Sequence, residues 1–167
     1  MFQVGDKIVY PMHGAGVIEA IEEREFLGRR RRYYILHMPL GALRAMIPLD
    51  QAEDLGVRPV LPKEALVNLE AVLRRHDAEP DKSWNQRYRK HLDQLKTGDV
   101  FAVADVVRTL MRRERRRALS GGERRMLENA RMMLVSELVL SQNIDEAAAQ
   151  AWLERAVFGP EAEESGV

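Results

Sequence analysis

Apolar positions along this chain follow two rules, and the rule changes near residue 58. Before that point they alternate with polar positions over short stretches broken by glycine and proline, the pattern of half-buried strands. Lys7–Tyr10 predicts a first strand, Gly16–Glu22 a second, Arg32–Met38 a third rich in β-formers, and Leu43–Ile47 a fourth ending at Pro48. Pro11–Gly16 and Leu27-Gly28 read as turns, and Arg29–Arg32 as a solvated hairpin turn. Strands this short and close together bury a core only by curling over, so the pattern predicts a small SH3-like or Tudor-like β-barrel.

From Leu61 the period becomes 3.6. Pro62 suits the first position of a helix, and Leu66, Leu69, Val72 and Leu73 recur at three- and four-residue spacing up to His76. Asp77–Asp81 reads as a loop. Ser83 caps a second helix that runs to about Lys96, with Gly98 beyond it as a stop, and Trp84 falls in its first turn. Asp99 caps a third helix that turns Val100, Val103, Val106, Val107 and Leu110 inward and ends in an arginine block before Leu119. Ser120-Gly121-Gly122-Glu123 has capping-box spacing and opens a fourth helix reaching about Leu140. Asn143-Ile144-Asp145-Glu146 opens a fifth, which carries Trp152 among alanines and stops at Gly159-Pro160. The expected organisation is a β module over 1–58, an all-α bundle of about five helices over 59–160, and an acidic, frayed tail over 161–167.

Net charge is zero, but it is unevenly laid out. Residues 82–131 hold fourteen cations and six anions, whereas the residues after them hold one cation and seven anions. A basic middle followed by an acidic end is the electrostatic footprint of a nucleic-acid binder, although a solvated helix face gives the same count. By helical arithmetic Arg108, Arg112, Arg115 and Arg116 share a face that Arg113 and Arg117 widen, and Arg124, Arg125 and Arg131 extend it if the third and fourth helices pack antiparallel. No base-reading residues stand at helix-turn-helix positions, so weak DNA binding with little sequence preference is expected.

Trp84 sits in Lys82-Ser83-Trp84-Asn85-Gln86-Arg87-Tyr88-Arg89-Lys90, a bulky ring with cations on both sides. Such a ring can wedge beside an unstacked base step while Arg87, Arg89 and Lys90 neutralise flanking phosphates, or it can simply pack against a neighbouring domain. In the β module, an exposed strand edge offers pairing to another protein, with Arg24, Arg44, Met46 and Pro48 as candidate contacts.

Enzyme chemistry finds little support. There is no cysteine and only four scattered histidines, which argues against thiolate nucleophiles and metal sites; no cofactor or small-molecule substrate is expected. His13-Gly14-Ala15-Gly16 lies between strands rather than opening a helix, so it reads as a turn rather than a phosphate loop. No nucleophile, base and orienting group assemble. The absence of a long apolar run and of a basic-then-apolar start makes a cytoplasmic protein without membrane attachment the expectation.

Val4-Gly5-Asp6-Lys7-Ile8-Val9-Tyr10-Pro11-Met12-His13-Gly14-Ala15-Gly16 resembles the opening motif of the CarD and CdnL transcription regulators. The resemblance continues in order through Pro48 with Gly56-Val57-Arg58, Ser83-Trp84-Asn85 to Tyr88, Gly98-Asp99-Val100 with Val106-Val107-Arg108, and Leu119-Ser120-Gly121-Gly122-Glu123 with Met126-Leu127. It thus covers nearly the whole chain. The transcription-repair coupling factor shares the opening motif but adds a helicase engine that this chain lacks. The resemblance implies a Tudor-like domain that docks on the β subunit of bacterial RNA polymerase, and a helical domain at the upstream edge of the melted promoter bubble. It also implies that Trp84 wedges into the minor groove and holds the open complex, with the protein reaching the nucleoid through polymerase. Arg24 matches a polymerase-contacting arginine; Met46 stands where some members carry a second one, and Arg44 lies on the same strand. Arg87 and Arg89 match basic positions of the DNA surface, whereas Gln86 replaces a cation. Two other classes remain at this level: an adaptor whose basic helices bind an acidic protein, and an RNA-binding, ribosome-associated factor.

Overall fold

The computed structural model describes residues 1–41, 43–76 and 83–160. The expected loop at 77–81, Lys82 and the expected frayed tail at 161–167 lie outside the described residues.

The N-terminal strands are β1 (Lys7–Tyr10), β2 (Gly14–Phe26), β3 (Arg29–His37), β4 (Arg44–Pro48) and β5 (Arg58–Pro59). They form one antiparallel sheet in the order β4-β3-β2-β1-β5. The sheet is open, with β4 and β5 as its edges, so it does not confirm the expected small barrel. Ile8, Ile18, Tyr34, Leu36 and Ile47 are fully or almost fully buried on its inner face. Two further differences from the pattern reading have physical causes. Arg29–Arg32 belong to a strand rather than a turn, because Leu27 and Gly28 alone make the reversal, both at positive φ (53° and 77°), as a two-residue hairpin loop requires. Arg58-Pro59, read as a break, is a fifth strand: Val9 pairs with Arg58 and Ile8 with Pro59. Proline is tolerated there because the strand lies at the sheet edge.

A single 3-10 turn (Lys63–Ala65) leads into α1 (Leu66–Arg74), so Pro62 starts that turn rather than the helix itself. The remaining helices are α2 (Trp84–Lys96), α3 (Val100–Arg116), α4 (Gly121–Gln142) and α5 (Glu146–Phe158). Helices α2, α3 and α4 begin where the sequence put a cap, whereas α5 begins at Asp145, two residues beyond Asn143, where the box spacing places the cap. Ser83 accepts from the Gln86 N–H in a full capping box, Asp99 from Phe101, Ser120 from Glu123 and Asp145 from Ala148. Asn143 ends α4 in the left-handed region (φ 55°). Leu69, Leu73, Leu95, Leu110, Leu134, Leu138 and Leu153 form the centre of the bundle, and Trp152 packs half-buried against it, as expected.

Helix α4 also carries the sheet. The backbone N–H of Ala15 in β2 donates to Ser136 Oγ (2.9 Å), and Lys7 Nζ donates to the Leu140 carbonyl (3.0 Å). Glycine is needed at this contact. A Cβ on Gly14 would stand 3.0 Å from Ser136 Oγ and 3.1 Å from Met132 Sδ, and one on Gly16 would stand 2.7 Å from Leu36. Gly14 therefore lets the sheet approach the helix, and Gly16 lets β2 lie close against β3.

Candidate nucleic-acid interface

Trp84 is the first residue of α2, and the Ser83 cap fixes the direction in which it leaves the chain. Its indole ring stacks on Tyr88 one turn later, with centroids 4.9 Å apart and planes 17° from parallel. The indole N–H donates to Ser120 Oγ (3.1 Å) and to Glu123 Oε1 (3.2 Å) at the start of α4. Both rings lie beside Gly122, where even an added Cβ would meet them at ordinary contact distance, 3.5–3.6 Å. One polar edge of the ring is thus tied down, yet Trp84 keeps 41% of its surface exposed.

The acceptor is itself well held. Glu123 is 5% exposed, its backbone N–H donates to Ser120 Oγ (3.2 Å), and Arg113 Nε lies 3.6 Å from its other carboxylate oxygen. The cation and the hydroxyl stabilise a buried negative charge that would otherwise be expensive. Behind this group His91 is buried, and burial lowers its pKa; Lys90 and Arg87 lower it further, while Asp105 and Glu123 act in the opposite direction.

The cations divide into two groups. Arg89, Lys90, Arg115, Arg116, Arg117, Arg124 and Arg125 are exposed, and Arg87 is half-buried. Arg115 stacks its guanidinium 3.5 Å from the centroid of Phe158. Arg124 and Arg125 follow Glu123 in the first turns of α4. The other arginines of the expected face are turned inward. Arg108 is buried, donates to the Val72 carbonyl (2.8 Å) and pairs with Asp105. Arg112 donates to the carbonyls of Arg75 and Val157, the latter at 3.0 Å, and so ties the ends of α1 and α5. Arg131 is held by Gln150 (2.7 Å) and Glu154 (2.6 Å) of α5. Helical arithmetic put these side chains on a common stripe with the exposed ones; it could not show that the carbonyl ends of two other helices meet that stripe.

In the sheet, register decides which candidates meet. Met46 pairs with Ile35, which pairs in turn with Ala20; Pro48 pairs with Tyr33, which pairs with Glu22; Arg24 pairs with Arg31 and Arg44 with His37. Directly paired residues share a face, so Arg24, Arg44, Met46 and Pro48 all stand on the outer face of the sheet. Arg24 donates to Glu22 (2.9 Å) and Arg44 lies 3.3 Å from Glu19. β4 is the last strand on its side of the sheet. Phe26, which the pattern reading passed over, is exposed on the same face with its ring edge against Tyr33 (5.7 Å, 84°). Ser120, Gly122 and Glu123 are likewise functional neighbours that the sequence marked only as a capping box.

Residues 2–61 match the family model of the CarD-like/TRCF RID domain, and residues 68–154 match that of the CarD C-terminal domain. The chain belongs to the CarD family. A Bacillus subtilis (strain 168) protein described as "Putative transcription factor YdeB" is 42% identical over 146 residues, covering 87% of this chain and 95% of that protein. The two CarD modules meet between residues 61 and 68, close to the change of period in the sequence. A CarD-family chain of this kind is a transcription factor, and no helix among the described residues is long and apolar enough to cross a membrane.

Proposed function

We propose that this protein is a non-enzymatic regulator of transcription initiation that docks on the RNA polymerase β subunit and stabilises the open promoter complex. The observation that carries the reading is the Trp84 pocket: a ring stacked on Tyr88 and hydrogen-bonded at its N–H, but with two-fifths of its surface exposed beside a cationic helix end. A ring held in advance loses little freedom when it enters the minor groove at an unstacked step. Arg87, Arg89, Lys90, Arg115, Arg116 and Arg124 supply phosphate contacts that carry little sequence information. Because the wedge fits only separated strands, it shifts the closed-to-open equilibrium by its difference in affinity for the two states.

Docking uses the outer sheet face at β4, with Arg24, Arg44, Met46 and Pro48 presented together and a strand edge available for pairing. Weak DNA contact is then sufficient, since polymerase binding makes the second contact intramolecular. The test is the lifetime of open complexes formed with purified bacterial polymerase. Wild-type protein lengthens it, and Trp84→Ala abolishes the effect without loss of polymerase capture; a Trp84→Ala protein as active as wild type would remove the wedge from the mechanism.

A further inference from the structure

Glu137 lies in the C-terminal third of α4, 3% exposed, far along the helix from the Trp84 pocket. Both of its carboxylate oxygens are engaged. Arg58 of β5 donates to them in a fork (NH1 2.7 Å, NH2 2.9 Å), and the Leu61 backbone N–H, at the exit from the sheet, donates as well (2.7 Å). The same arginine donates its Nε to the Gly98 carbonyl (2.8 Å), between α2 and α3. Arg58 therefore joins the sheet, α4 and the end of the helix that begins with Trp84. Beside it, Ser136 receives the Ala15 N–H, and a Cβ on Gly98 would come 2.8 Å from Pro11 of the sheet module.

A buried ion pair is a poor choice if the interface needs only adhesion, because well-packed apolar residues stabilise at least as well. What a forked, fully satisfied pair adds is a single geometry. Helix α4 gives that geometry a use. Glu123 near its start holds the indole, and Glu137 holds the sheet about 21 Å further along at 1.5 Å per residue.

We infer that Glu137, through Arg58, is a positioning residue that locks the two modules in one orientation, so that the docked sheet face and Trp84 act together on one polymerase–promoter complex. This inference rests on the open-complex reading. A rigid span keeps the wedge at its target once the sheet has docked, whereas a loose joint dilutes it over many orientations.

The chain has no cysteine, so cysteines introduced at exposed Leu27 and Asn85 can carry spin labels on the two modules of the full-length protein. Glu137→Gln keeps the shape of the side chain but turns an amide donor toward Arg58. Arg58→Lys keeps the charge and loses the fork, and serves as the second variant if the first fails to melt cooperatively. The expected result is a broadened inter-label distance distribution, unchanged polymerase capture, and an open-complex lifetime several-fold shorter, toward that without the protein. A broadened distribution with a wild-type lifetime would overturn the inference, as would a distribution that stays narrow when the fork is broken. A wild-type protein with no effect on lifetime would instead defeat the open-complex reading, and the label distances would still decide whether Glu137 fixes the orientation.

Discussion

The indole N–H of Trp84 donates to Glu123, a carboxylate buried at the start of the helix that also bears the sheet. The ring is therefore oriented by a charge-assisted bond from a different helix, not merely by its own backbone. Glu123→Ala removes that acceptor and leaves Arg113 without this carboxylate partner. The expected outcome is a destabilisation of about 1–3 kcal/mol, together with faster motion of the ring. Time-resolved fluorescence anisotropy in a Trp152→Phe background, where Trp84 is the single tryptophan, checks the second part. Unchanged anisotropy would mean that stacking on Tyr88 and the bond to Ser120 Oγ suffice to hold the ring.

His91 sets a pH dependence. Burial holds its pKa below the usual histidine value, so the unfolded chain takes up a proton before the folded one does. Stability from this group is complete above the unfolded pKa, near 6.5, and is lost as pH falls below it toward the depressed folded value. Urea midpoints measured between neutral and mildly acidic pH are expected to fall for wild type. Against that carboxylate-rich background, His91→Gln should show a shallower fall across the same window. Parallel curves for the two proteins would refute the assignment.

The arginines separate by experiment as they do in space. Arg124 is exposed near the start of α4, so Arg124→Ala should leave the melting temperature alone and reduce the slope of log affinity against log salt for forked DNA by about 1. Arg112 is engaged with helix-end carbonyls, so Arg112→Ala should do the reverse: lower stability by about 1 kcal/mol, the net worth of the hydrogen bonds lost at the ends of α1 and α5, with little change in slope. Salt titration and thermal melts of the two variants together decide the matter, and a steep slope change for Arg112→Ala would return it to the DNA surface.

What the sequence made legible follows the range of the forces involved. Capping is local, and Ser83, Asp99 and Ser120 begin helices where their side chains said they would; Asn143, read as the cap of the fifth helix, ends α4 instead and leaves Asp145 to cap α5. The position of Trp84 in a first turn could be read for the same reason. The two-residue β5 could not, since a strand that short exists only because β1 lies beside it. Nor could the division between Arg112 and Arg124, which depends on where the ends of α1 and α5 come to rest. The open sheet has a similar origin. Part of its cover comes from α4, whose contact with Gly14 and Ala15 joins residues more than a hundred positions apart. Arg24, Arg44, Met46 and Pro48 could be named as candidates from the sequence, but their common face depends on register.

A tight approach of the two modules at Gly98 and Pro11 offers a packing test. Gly98 has a φ of 71°, and a Cβ there would lie 2.8 Å from Pro11 Cγ and 3.1 Å from Pro11 Cβ. Backbone strain and overlap act in the same direction. Gly98→Ala should destabilise by about 1–3 kcal/mol, of which roughly 1 kcal/mol belongs to the left-handed backbone alone. Only the overlap depends on Pro11, so a double-mutant cycle separates the two parts. Pro11→Ala removes Cγ and keeps Cβ; it should therefore relieve part of the penalty in the Gly98→Ala protein while destabilising the wild type by its lost packing. Strict additivity of the two substitutions in urea unfolding would show that Pro11 yields freely, and that the contact places no constraint on how the sheet meets the bundle.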